Sequence, residues 1–293
     1  MSQQQFCFCT LALGKVYRTL AGLLAKDLKL YSPNTAFIIL TDYPQDFSNS
    51  SQILAFQHQQ QGVKCYHDKR FAIVKALSLF NSCIFIDADM RILAPVPEDM
   101  EWLLEPGISA RACMDMPKKF AKALGTTNKK FTREIEVIKK AAQFLNLEPE
   151  CENVMFVHEY LFSVTKSTGK EIEFLETWAI LAKYFELNGV YEVEGNAIGL
   201  AAYKAGLPVR WSQMSGISFF NNKTELIKIQ KGESNMDEML TYFEEHRIIA
   251  YPKHSIFWKI VFKISKVTMH IYRAIKYRVF KTYIIQERRE KVY

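Results

Sequence analysis

The sequence predicts an α/β fold with a mostly parallel central sheet, followed by a basic helical tail. Three observations carry that reading. Short apolar runs alternate with segments of helical period through the first half of the chain. One of these runs, residues 83–86, ends abruptly in two carboxylates, Asp87 and Asp89. Positive charge concentrates after residue 250. A chain of 293 residues, 49% hydrophobic and 24% charged, has ample material for a large core.

Residues 6–13 form the first apolar run, and Gly14 breaks it. Residues 17–30 then place Leu20, Leu23, Leu24 and Leu28 at helical spacing. After a turn at residues 32–34 the chain offers a strand over 36–40, which ends in Thr41 and Asp42. Shorter strands are expected at 53–56 and 63–66. A helix over 69–80 delivers the chain to the strand at 83–86. Such alternation argues for right-handed crossovers between parallel strands. Residues 91–97 are extended and proline-punctuated, and 108–114 reads as a strand. Helices are expected over 131–147, 171–187 and 197–205, the last closed by Gly206. Residues 155–165 read as strand then turn, and 207–211 as a strand.

In an extended chain alternate side chains point the same way, so Asp87 and Asp89 project together from the end of their strand. Two like charges so placed suit a shared cation, and hard oxygen ligands favour Mg2+ or Mn2+. Open α/β sheets place their ligands at the same carboxyl ends. Residues 166–170 look superficially like a phosphate loop, but the upstream glycine is missing and a turn is the better reading.

The net charge of +7 is uneven. Residues 251–293 hold eleven Lys and Arg against two Glu, while residues 1–250 hold 27 basic against 29 acidic groups. The body is therefore not a nucleic-acid-binding surface. The six cysteines show no Cys-x-x-Cys pair and lie largely in apolar runs, which predicts reduced thiols in a cytosolic protein. No signal peptide and no apolar stretch of about 20 residues is evident, so a soluble body is expected.

Taken together, the early strand–helix–strand ending in Asp42, the helix carrying Lys75, the Asp87-Ala88-Asp89 motif and the Glu194-Gly195-Asn196 segment resemble the GT-A glycosyltransferases. The similarity is one of order and spacing over roughly residues 6–211, and only the Asp-x-Asp part is specific. It implies a Rossmann-like nucleotide-sugar domain over 1–250 and a metal-dependent sugar transfer from a nucleoside-diphosphate donor, a UDP-sugar favoured, to an acceptor hydroxyl of a glycan or lipid-linked glycan. By the resemblance Asp89 holds Mn2+ or Mg2+ directly, while Asp87 contacts the sugar or ribose and shares the metal. Thr10, Leu11 and Ala12 supply backbone to the nucleoside. Tyr17 stacks on the base, Asp42 accepts from base or ribose, and Ala88 and Lys75 (or Arg70) lie near the phosphates. Glu194 is the candidate general base, with Glu192 and Glu159 as alternatives. A late histidine, His246 or His254, completes the metal shell, although the family's usual Gly-rich surroundings are absent.

Residues 256–285 set bulky apolar residues against lysines and arginines that recur three or four residues apart. That is the composition of a helix lying on anionic lipid, here at the cytoplasmic face of a membrane. Two other readings stand beside the transferase. A nucleotidyltransferase would need a Gly-rich basic loop after the first strand, which is poor here. A non-catalytic lipid- or partner-binding protein would have lost its Asp-x-Asp, which is intact.

Overall fold

The computed structural model describes residues 6–124, 128–252 and 256–290. The chain runs β1 (Phe6–Ala12), α1 (Gly14–Tyr31), β2 (Phe37–Thr41), β3 (Ile53–Gln57), α2 (Lys69–Leu79) and β4 (Ser82–Ile86). It continues through β5 (Arg91–Ile92), α3 (Glu101–Leu104), β6 (Gly107–Ala110), β7 (Cys113–Asp115), α4 (Met116–Leu124) and α5 (Lys129–Phe144). Then come β8 (Met155–Val157), β9 (Leu161–Thr165), α6 (Lys170–Leu187), α7 (Glu194–Lys204) and β10 (Val209–Trp211). It closes with β11 (Phe219–Phe220), α8 (Asn222–Gln230), α9 (Met236–Ala250) and α10 (Ile256–Glu290).

Seven strands make one sheet in the order β10-β6-β9-β4-β1-β2-β3. Every pairing is parallel except those of β9, which runs antiparallel to both β4 and β6. The central strands are apolar on both faces because both faces are covered. Cys7, Cys9, Ile38, Leu40, Cys83 and Phe85 pack toward α2, α6 and α7. Phe6, Phe8, Phe37, Ile39, Ile84 and Ile86 pack the other way, where α1 covers them with Ala21, Leu24 and Leu28. The period of two in β1, β2 and β4 is what divides the core into these halves. All six cysteines are free thiols.

From β1 the chain winds outward through β2 to β3, then returns by α2 to lay β4 on the other side of β1. The winding reverses at β1 and β4, the kind of position at which open α/β sheets bind ligands beyond the carboxyl ends of their strands.

Three expectations are corrected. Residues 63–66 form no strand, because side chains already satisfy the backbone there: Gln61 N–H donates to Asp68 at 2.8 Å and Val63 N–H to Glu186 at 3.0 Å. The strand expected over 108–114 is split between β6 in the main sheet and β7, which leaves it to pair with β8. Residues 155–165 form two strands, broken where Asp87 N–H donates to the Tyr160 carbonyl at 2.9 Å. The expected helices are present, and α7 starts three residues early, so Glu194, Gly195 and Asn196 lie in its first turn. Residues 222–250, for which no element was foreseen, form α8 and α9.

Helix α7 sits unusually close to β8. A Cβ on Gly195 would lie 2.1 Å from the Val157 carbonyl oxygen, and one on Gly199 would lie 2.0 Å from that of Met155. Both obstacles are backbone and cannot rotate away. Gly199→Ala is expected to lower the unfolding free energy by about 1–3 kcal/mol in urea titration. Gly22→Ala, in α1 with nothing within 4 Å of the new methyl group, should raise it by roughly 0.5–1 kcal/mol.

Candidate functional site

Beyond Ile86 the chain turns sharply, with Met90 N–H donating to the Asp87 carbonyl at 3.0 Å. This turn holds the two carboxylates just beyond the carboxyl end of β4. Asp87 faces Lys69, the first residue of α2, with Nζ 2.9 Å from Oδ1. The same ammonium lies 4.0 Å from Glu194 Oε1, donates to the Glu159 carbonyl at 3.5 Å, and stands 5.5 Å from the centre of the Phe85 ring. Asp89 is more open and faces α9, where His246 Nε2 lies 3.8 Å from its Oδ2. The other ring nitrogen of His246 lies 3.4 Å from the Asn222 amide. Tyr17 approaches from α1, and its phenol is raised by burial and then by the charges of Asp89, Cys65 and Asp87.

Burial works against the charge on Lys69, but Asp87, Glu159 and Glu194 outweigh it and hold the ammonium protonated above its ordinary range. Burial pushes the Asp87 carboxyl up to about 7; Lys69 pulls it back while Asp89 adds to the rise. Behind them Glu194 and Glu159 share a hydrogen bond. Burial and the neighbouring Glu159 drive Glu194 well above the carboxylate range. Glu159 is also penalised by burial, yet Lys69 and the bond from Glu194 bring it below that range. The pair is held by a hydrogen bond between the two carboxyl groups, with Glu194 the member pushed toward its neutral form and Glu159 the one favoured as carboxylate. The contact exists because Gly195 lets the first turn of α7 lie against Val157, one residue before His158 and Glu159.

On the flank, Lys119 Nζ donates to Asn196 Oδ1 at 3.0 Å and stands 3.5 Å over the Phe156 ring. Burial draws its ammonium down to about 8, partly offset by Glu159, Glu134 and Glu194. Among the described residues the Asn196 side-chain nitrogen is buried with no hydrogen-bond partner.

A cleft of about 1350 Å3 opens along the carboxyl ends of β1, β2 and β3. Leu13, Gly14, Asp42 and Gln57 line its floor, and Met269, Tyr272, Arg273 and Lys276 of α10 its roof. Asp42 accepts from Gly14 N–H at 3.0 Å and from Arg18 at 2.6 Å. Burial raises its carboxyl, but those bonds prevail and it lies below the ordinary range. Thr10, Leu11 and Ala12 are paired in register with β2, so the residues that reach the cleft are the next two, Leu13 and Gly14. Ala88 is buried in the turn between the carboxylates.

Other residues named from the sequence lie apart from the acids. Lys75 sets its ammonium 4.1 Å over the Phe56 ring, and Lys69 is the cation beside Asp87. Glu192 turns into a separate pocket of about 370 Å3, where Lys64 and Lys130 pair with it. His254 lies outside the described residues. Sequence reasoning passed over Lys69, Lys119 and Asn196. A helix that returns antiparallel between two parallel strands brings its first residues to the carboxyl ends, and that rule points to Lys69.

Among the described residues no group of three His, Cys, Asp or Glu side chains is arranged to hold a metal ion unaided. The donors in place are nonetheless those a hard divalent ion accepts: an open carboxylate on Asp89 with the His246 imidazole opposite. Mg2+ in particular is commonly held by one or two carboxylates with waters and substrate phosphates completing the shell. The chain matches no family model and no curated protein.

Two tests follow from these charges. Glutamine at 194 keeps a donor toward Glu159, so Glu194→Gln should leave unfolding free energy nearly unchanged. Glu159→Gln removes a charge that offsets Lys69 and should cost about 1–3 kcal/mol in denaturant titration; the reverse order would put the proton on Glu159. For Lys119 the folded value is depressed to about 8 from 10.5. The unfolded chain then binds more protons between those values, and stability should rise with pH across that window and level off at its lower value below 8. The difference in unfolding free energy between wild type and Lys119→Met should follow that rise.

Proposed function

We propose that this chain is a metal-dependent glycosyltransferase of the GT-A type, which moves a sugar from a nucleoside-diphosphate donor to an acceptor hydroxyl. The observation that carries the reading is the Asp87-Ala88-Asp89 turn at the β1–β4 reversal, with one carboxylate neutralised by Lys69 and the other left open toward His246. The nucleoside takes the cleft along β1–β3, where Asp42 and the backbone of Leu13 and Gly14 are available. Tyr17, near enough to Asp89 and Asp87 to feel their charges, is available to the base. The diphosphate then falls beside Asp89, and the leaving phosphate gains charge next to the Lys69 ammonium.

Asp89 and His246 would hold Mn2+ or Mg2+, which supplies Lewis-acid stabilisation of the departing diphosphate when bound. Glu159 is the ionised member of the carboxyl pair and takes the acceptor hydroxyl's proton; Glu194 fixes its orientation by hydrogen bonding. Asp87, held by Lys69, faces the sugar. The acceptor is a glycan hydroxyl, free or carried on lipid.

Isothermal titration of UDP and GDP with and without Mn2+ tests the reading. Binding of UDP that requires Mn2+ and weakens at least about tenfold in Asp89→Asn is expected. Absence of binding by either nucleotide, with or without Mn2+, would overturn it.

A further inference from the structure

Helix α10 meets the body with one face only. His270 packs edge-on against Tyr191 at 5.3 Å between ring centres. Tyr277 shares a hydrogen bond with Glu186, and Arg273 and Lys276 look into the cleft. The opposite side carries Ile260, Ile264, Val267, Ile271, Ile275 and Val279, spaced four, three, four, four and four residues apart. At about 100° per residue these six fall within one third of the helix circumference. Each is 51–61% exposed, and so they form an apolar stripe in water, interrupted within its arc by Thr268 and Arg278.

Charge says what can cover that stripe. Between residues 256 and 286 there are seven Lys and Arg and no Asp or Glu. Lys263 borders the stripe, Lys266 lies further round toward the inner face, and both are exposed. A second copy of α10 would set lysines against lysines with no carboxylate to pair them, the opposite of what flanking positions in paired helices provide. An anionic lipid surface meets both demands, because acyl chains take up the isoleucines while headgroup charge draws the lysines. Among the described residues no helix is long and apolar enough to cross a membrane, so α10 would lie along the surface.

We propose that α10 is an interfacial helix whose outer face rests on an anionic bilayer while its inner face roofs the cleft. The geometry puts the mouth of the cleft at the lipid surface, within reach of an acceptor carried on a membrane anchor.

The experiment is co-sedimentation of the full chain with phosphatidylcholine vesicles, with and without phosphatidylglycerol. Binding confined to the anionic vesicles and weakened by added salt is expected. The double variant Ile264→Ser and Ile271→Ser alters exposed side chains only, so it folds, and its vesicle affinity should drop at least about tenfold. Lys263→Glu with Lys266→Glu should weaken binding in low salt more than in high salt. A chain that stays in the supernatant with both vesicles would overturn the proposal. So would vesicle binding indifferent to the serine pair, or a concentration-dependent dimer in sedimentation velocity that the serine pair abolishes.

Discussion

One buried ammonium organises the carboxyl edge of the sheet. Lys69 stands among Asp87, Glu159 and Glu194, which come from the turn after β4, from the link between β8 and β9, and from α7. Three carboxyl groups so near one another, in an interior of low dielectric, would repel and draw in water without it. With it, one acid pairs directly, one stays ionised at longer range, and one keeps its proton. The ionisation pattern of the pocket and the packing of three separate elements therefore rest on the same side chain.

That ammonium stays in place because its surroundings are rigid. Its stem begins α2, whose Ala72, Ile73 and Ala76 are sealed against the sheet, and the Phe85 ring flanks its head. The two glycines of α7 supply the remaining constraint. By giving up side chains at 195 and 199, the helix lies on the β8 backbone and carries Glu194 inward. Close approach has a cost in conformational entropy for glycine in a helix, and the contact it permits is the one on which the carboxyl pair depends.

Much of this could be read from the residues. The strand at 83–86 and its two terminal acids stood out because a fully buried strand writes a continuous apolar run that charge ends sharply. The alternation of strand and helix gave the α/β class for the same reason. Lys69 was less visible than Lys75, since choosing between them needs the direction in which the helix crosses the sheet. Glu159 was weighed only as a minor candidate, because its importance comes from a partner 35 residues away in sequence, on α7. The short strand expected at 63–66 failed where a side chain took over a backbone bond, as Glu186 does for Val63. No local pattern of hydrophobicity records such a substitution.

The reversed strand β9 has a consequence for how this edge can be furnished. In a sheet of parallel strands only residues that follow a strand arrive at the carboxyl edge. By running the other way between β4 and β6, β9 brings the residues that precede it to the same rim. Glu159 thus enters from the upstream side, on a link of three residues between Val157 and Leu161. A link so short has no slack. Lengthening it by a single residue would swing Glu159 away from Glu194 and pull the Tyr160 carbonyl off Asp87 N–H. The link that enters the sheet backwards is accordingly the part of this rim with no room to change length.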